Sequence, residues 1–173
     1  MKQIVVLGGG ISGYGSAILA KKKGFGVFLS DAGRIADRYK AKLDEWEVPY
    51  EEGGHTEKRI LAATEVVKSP GIPDTAPMVR KIREAGIPVI SEMEFAGRYM
   101  GKAKCICITG SNGKTTTTSL IYKIMRDAGM NVALGGNIGE SFAWSVATGD
   151  YDWYVLELSL SLIHISEPTR PRL

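Results

Sequence analysis

Apolar residues recur along this chain in short runs, separated by glycine-rich turns and by longer stretches of helical period. Residues 4–7, 26–30, 65–68, 88–90, 105–108, 131–134 and 153–157 are the runs. Runs this short, with little polar alternation, suit strands covered on both faces, the habit of parallel sheets. Between them, residues 14–23, 35–46, 57–62, 76–85, 92–99, 117–128 and 141–147 predict helices. Gly24 and Gly86 stand where the first and fourth of these should stop. Ser91 precedes the fifth, with Glu94 at the capping-box spacing. Residues 49–54 read as a loop or short strand.

Strands alternating with helices predict an α/β fold with right-handed crossovers. The pattern restarts near residues 100–104. We therefore expect a Rossmann-like parallel-sheet domain over 1–99, followed by the start of a P-loop-type α/β ATPase domain over 100–159.

Composition narrows the function classes. Hydrophobic content of 44% and charged content of 24% are those of an ordinary soluble protein. A net charge of +3 does not argue for nucleic acid, and Lys21, Lys22 and Lys23 sit where a helix C-terminus favours cations. No apolar run approaches the ~18 residues of a membrane span, so no membrane insertion is expected. The first residues enter a strand directly, unlike a signal peptide. The two cysteines, Cys105 and Cys107, read as small buried residues of a reduced, cytoplasmic protein.

Two glycine loops carry the chemistry. Thr109-Gly-Ser-Asn-Gly-Lys-Thr-Thr116 lies between a strand and a helix, the geometry in which loop and helix amides face a nucleotide's phosphates. Gly110, Ser111, Asn112, Gly113, Lys114, Thr115 and Thr116 are the candidate ATP-binding residues. Lys114 would meet the β/γ-phosphates and the Thr115 hydroxyl would ligate Mg²⁺. The loop is shorter than the standard G-x-x-x-x-G-K-[ST] pattern. Gly8-Gly-Gly-Ile-Ser-Gly13 fits G-x-G-x-x-G, and Asp31 ends the next strand about 20 residues on. That loop taken singly allows an NAD(P)-linked oxidoreductase. A second nucleotide motif in one chain makes that alternative less attractive.

These residues resemble the Mur ligases, which build the peptide stem of the bacterial cell wall. Residues 109–116 look like that family's ATP loop, Gly136-Asn-Ile-Gly139 like its next motif, and Glu157-Leu-Ser159 like its acidic strand end. The first loop, the Ser69-Pro-Gly-Ile72 turn and the Glu-Leu-Ser ending are closest to members that add D-glutamate to UDP-N-acetylmuramoyl-L-alanine. The resemblance implies an ATP-dependent amide-bond-forming ligase working through an acyl phosphate. It implies Lys114, Asn137 and Glu157 as catalytic residues, and Thr115 and Glu157 as Mg²⁺ ligands. It further implies Gly10, Ile11, Ser12, Asp31, Ser69 and Asn137 as contacts to the UDP-linked substrate, and a monomeric full-length parent. His55 reads as an exposed loop histidine. After Ser159 the family pattern breaks, and residues 160–173 look like translated library-adaptor sequence. We expect that tail to be non-native, and the fragment to lack ligase activity.

Overall fold

Two parallel sheets organise residues 2–159, the part of the chain that the computed structural model describes. Residues 160–173, where a foreign tail is expected, lie outside the described residues. The first sheet has five strands: β1 (Gln3–Leu7), β2 (Gly26–Ser30), β3 (Tyr50–Glu51), β4 (Glu65–Lys68) and β5 (Val89–Ser91). Their order is β3-β2-β1-β4-β5, all parallel. The chain moves outward one way from β1 and then returns to the other side. The loops after β1 and β4 thus flank one crevice at the strands' C-terminal ends, where open α/β sheets bind ligands.

The connecting helices are α1 (Ile11–Lys22), α2 (Asp37–Glu45), α3 (Glu57–Ile60), α4 (Pro77–Glu84) and α5 (Glu92–Gly97). Ser91 caps α5 by accepting from the Glu94 amide at 3.1 Å. The other half of the expected capping box is not made, because the Glu94 carboxylate pairs with Arg98 one turn on, at 2.6 Å. The second sheet has three strands, β6 (Lys104–Ile108), β7 (Val132–Gly136) and β8 (Trp153–Glu157), in the order β6-β8-β7. Its helices are α6 (Lys114–Asp127) and α7 (Phe142–Thr148).

One helix links the two sheets. In α1, every residue from 13 to 20 is buried, so it has no solvent stripe and must be covered on opposite sides. One side packs on the first sheet and the other meets α7. The main apolar cluster accordingly runs from Ile4, Val6 and Leu29 through Ile18 to Phe142, Ala143 and Leu156.

The expected burial of Cys105 and Cys107 is not found: both are exposed. β6 is an edge strand, and only Ile106 and Ile108 turn toward the cluster formed with Met125, Val132 and Val155. The opposite face, which carries the cysteines, has no cover among the described residues. The α6 residues Leu120 and Ile124 are likewise 56% and 59% exposed.

A buried acid ties the ends of the first unit together. Glu65, on β4, pairs with Lys2 at 2.8 Å and Arg98 at 2.7 Å. Burial pushes its carboxyl up, but the bonds and charges of Lys2 and Arg98 outweigh this and hold it below the usual carboxylate range. A depressed folded-state pKa adds stability above the unfolded value of about 4.3, and that stability is lost as pH falls through the folded value. The stability gap between the unsubstituted chain and Glu65→Gln should therefore be widest at neutral pH. It should shrink as pH drops below about 4. Urea unfolding at several pH values checks this.

Candidate functional site

β6 ends at Ile108, and the chain turns through the glycine loop into α6. Gly113, the residue before the helix, takes φ +74°, a left-handed conformation that glycine enters without steric cost. No side chain caps α6, so the first amides of the helix open toward the loop's mouth. The Lys114 ammonium lies across that mouth and donates to the Gly110 carbonyl at 2.7 Å. The Thr115 hydroxyl donates to Glu157 Oε2 at 2.7 Å.

Strand register explains this pairing. β8 lies between β6 and β7, and Glu157 stands level with Ile108 on one side and Gly136 on the other. Its carboxylate is thereby delivered to the loop's base, where the residue is only 5% exposed. The next residue after β7, Asn137, donates its amide to the Glu157 carbonyl at 3.0 Å and its side chain to Ser159 Oγ at 2.6 Å. The structure thus gathers Lys114, Thr115, Asn137 and Glu157 at one set of strand ends, although Asn137 and Glu157 follow the loop by one and two crossovers.

A hydroxyl and a carboxylate at the base of an amide-rich loop are hard oxygen donors, the type Mg²⁺ takes from protein. Among the described residues no group of three or more His, Cys, Asp or Glu side chains gathers to hold a metal. A cation at Thr115 and Glu157 would draw its remaining ligands from phosphate and water oxygens, as Mg²⁺ commonly does. The donor set fits the group.

The first sheet carries a second crevice. A cavity of about 520 Å³ opens beside Gly8, Asp31 and Ala32. Gly71, Ile72, His55 and Lys81 are also in its wall. Gly10, Ile11 and Ser12 form the start of α1, and Gly10 has open space at its Cα. Ser69 approaches the first loop from β4, its hydroxyl 3.5 Å from the Gly8 carbonyl. Asp31 lines the cavity, but its carboxylate is not idle. Oδ2 accepts from the Gly9 amide at 2.5 Å and Oδ1 from the Gly33 amide at 2.7 Å. An acid at this strand end therefore shapes the glycine loop itself, and has only its remaining lone pairs for a ligand.

His55 does not stand free in solvent as expected. It is half-buried in the cavity wall, with Nδ1 2.7 Å from Ser30 Oγ. Ser30 also donates to Glu51 at 2.6 Å. The misreading has a plain cause. The His55 loop is polar, and only the pairing of β3 with β2 brings it over Ser30.

The two crevices meet at a small cavity of about 20 Å³ bounded by Ser12, Pro70, Glu92, Met93, Gly136 and Asn137. Ser12 from the first loop and Asn137 from the second unit thus share one boundary. Glu92 carries no role in the sequence reading beyond opening the helix expected over 92–99, and no local pattern marks it as part of this junction.

Comparison with known proteins places these features in a family. Residues 2–91 match the model described as Mur ligase MurD-like, N-terminal domain, and residues 108–166 match the Mur ligase middle domain. The chain is 62% identical over 159 residues to UDP-N-acetylmuramoylalanine--D-glutamate ligase of Bacteroides fragilis, covering 92% of this chain and 36% of that protein. It is 51% identical over 172 residues to the protein of the same name from Christiangramia forsetii, covering 99% of this chain and 38% of the relative. The chain therefore spans a little over a third of the length of these curated relatives.

Among solved structures, UDP-N-acetylmuramate:L-alanyl-gamma-D-glutamyl-meso-diaminopimelate ligase from Neisseria meningitides superposes with a TM-score of 0.64 at 23% identity. That match covers 91% of this chain and 52% of the other. UDP-N-acetylmuramate-alanine ligase from Thermotoga maritima gives 0.59 at 22%, over 92% of this chain and 37% of the other. Likeness at that identity speaks for the fold, and the relatives at higher identity do not favour the oxidoreductase alternative. Just over half of the chain falls within the N-terminal model, most of the remaining described residues fall within the middle-domain model, and the chain belongs to the Mur ligase family.

Proposed function

We propose that this chain is the UDP-substrate-binding and ATP-loop part of an ATP-dependent ligase of peptidoglycan precursor synthesis. The reaction adds D-glutamate to UDP-N-acetylmuramoyl-L-alanine in the cytoplasm. The observation that carries this reading is the Thr115–Glu157 hydrogen bond at the base of a loop whose lysine lies across its mouth. The names of the relatives supply the substrate.

In this reading Gly110 to Gly113 and Thr116 cradle the phosphates of ATP. Lys114 neutralises charge on the transferred group, and Thr115 and Glu157 hold Mg²⁺. The γ-phosphoryl group passes to the substrate carboxylate, and the amine of D-glutamate displaces phosphate from the resulting acyl phosphate. Asn137 stands at the junction where the two ligands approach. Gly10, Ile11, Ser12, Asp31 and Ser69 receive the UDP end, with Asp31 acting on uracil through its free lone pairs and on the loop through Gly9. The parent protein acts as a monomer. Residues 100–159 form the opening of its central domain, and residues 160–173 are foreign to it.

Calorimetric titration of the 173-residue chain tests the binding half. UDP and Mg·ATP should each bind at one site without displacing the other. Binding of NAD⁺ in competition with UDP, with no response to Mg·ATP, would overturn the reading. Because the chain is little more than a third of its relatives' length, no D-glutamate-dependent phosphate release is expected from it.

A further inference from the structure

Glu92 is the first residue of α5, yet it does not face solvent. It is 6% exposed and lies between the start of α1 and the start of α7. One carboxylate oxygen accepts from the Ala143 amide at 3.0 Å. Ser12 borders the same small cavity as Glu92. Burial pushes the carboxyl up, although the Ala143 amide and the nearby polar groups of Ser12, Ser141 and Phe142 pull the other way. Ser141, at the same helix start, caps α7 by accepting from the Trp144 amide at 3.0 Å. The surroundings of Glu92 come from two separate units: Ser12, from the first glycine loop, across the small cavity, and Ala143, which donates to it, from the α7 start a few residues after Asn137.

We propose that Glu92 is a positioning residue that fastens the first unit's glycine loop to the second unit's Gly136–Asn137 turn, so that both walls of the junction keep their spacing. It touches neither nucleotide; it acts through Ser12 and through the α7 N-terminus. Three observations converge on this role. Glu92 lies on the boundary of the small cavity that Ser12 and Asn137 also border. Its strongest geometric partner belongs to the other sheet's helix. Close by, α1 and α7 approach so nearly that only a residue without a side chain fits at position 15. The role rests on the proposed function only for the identity of the ligand at Ser12.

Hydrogen exchange on the 173-residue chain decides the matter without any ligand. Glu92→Ala should speed exchange about tenfold or more in two segments only, residues 10–15 and 140–146, the scale expected when a buried acceptor is lost. Glu92→Gln keeps a carbonyl oxygen for the Ala143 amide and should return both segments to within a few-fold of the unsubstituted chain. Loosening spread through β1 and β8 as well, or confined to one segment, or equal in both variants, would overturn the proposal.

UDP titration adds the functional arm. Glu92→Ala should weaken UDP about tenfold, leave Mg·ATP unchanged, and be rescued in Glu92→Gln. Equal UDP affinity in Glu92→Ala would overturn the positioning role. A chain that binds no UDP even without substitution would instead sink the proposed ligand, and hydrogen exchange would still decide the role of Glu92.

Discussion

Lys114→Ala is expected to weaken Mg·ATP binding by about 100-fold, which corresponds to ~2.7 kcal/mol. The size follows from what the ammonium does. A hydrogen bond to a charged group contributes about 1.5–3 kcal/mol, and one lysine facing two phosphates makes more than one. Nothing nearby replaces it, since the loop's other donors, its backbone amides, its hydroxyls and the Asn112 side-chain amide, are uncharged. The fold should survive, because among the described residues the Lys114 side chain has one polar contact, to the Gly110 carbonyl. UDP affinity should be unchanged, because the first crevice belongs to the other sheet. Thr115→Val separates the metal contribution. It preserves shape, removes the Glu157 partner, and should weaken binding in the presence of Mg²⁺ more than in its absence. Titration calorimetry with and without Mg²⁺ reads both effects. A Lys114→Ala chain that binds Mg·ATP as before would show that the glycine loop is only a turn.

Most of the strand positions were legible because buried parallel strands leave an unmistakable apolar run. Residues 26–30, 65–68 and 153–157 were bounded to the residue. The glycine loops were legible for a related reason: a turn that brings backbone to phosphate excludes side chains, so it appears in the sequence as glycine at fixed spacing. Helix starts were less clear. α6 begins at Lys114, not at 117, because Lys114, Thr115 and Thr116 read as part of the loop while their amides already belong to the first turn. The cysteine misreading has a different origin. Cys105-Ile-Cys-Ile108 has the composition of a central strand, and only the strand order reveals it as an edge.

What the sequence could not disclose is joint between distant residues. His55 meets Ser30, Tyr14 donates its hydroxyl to Glu140, and Glu92 meets Ala143. Burial, reinforced by that Glu140 carboxylate, keeps Tyr14 protonated far above the usual phenol range. Each of these contacts depends on which elements the fold seats side by side: β3 beside β2, α1 beside the turn before α7, and α5 beside α7. A local pattern that records helix period carries no trace of which helix lies opposite.

Gly15→Ala is the sharpest test of that seating, because two known effects oppose each other there. Replacing glycine by alanine inside a helix ordinarily stabilises by about 1 kcal/mol. At Gly15 the new Cβ would stand 1.9 Å from Ser141 Oγ and 2.9 Å from the Trp144 amide nitrogen. The serine hydroxyl cannot simply swing aside, since it caps α7. The backbone nitrogen cannot move unless α7 moves. Overpacking of a core contact costs about 1–3 kcal/mol, and loss of the Ser141 cap about another 1. The clash outweighs the propensity gain, and a net loss of about 1–3 kcal/mol is expected. Gly97→Ala serves as the control. It is also a helical glycine, but its Cβ would meet nothing within 4 Å, so it should be neutral or slightly stabilising. Urea unfolding of the two variants beside the unsubstituted chain measures the difference. If Gly15→Ala proved as stable as Gly97→Ala, α1 and α7 would not pack as described, and the junction that holds Ser12 and Asn137 together would lose its support.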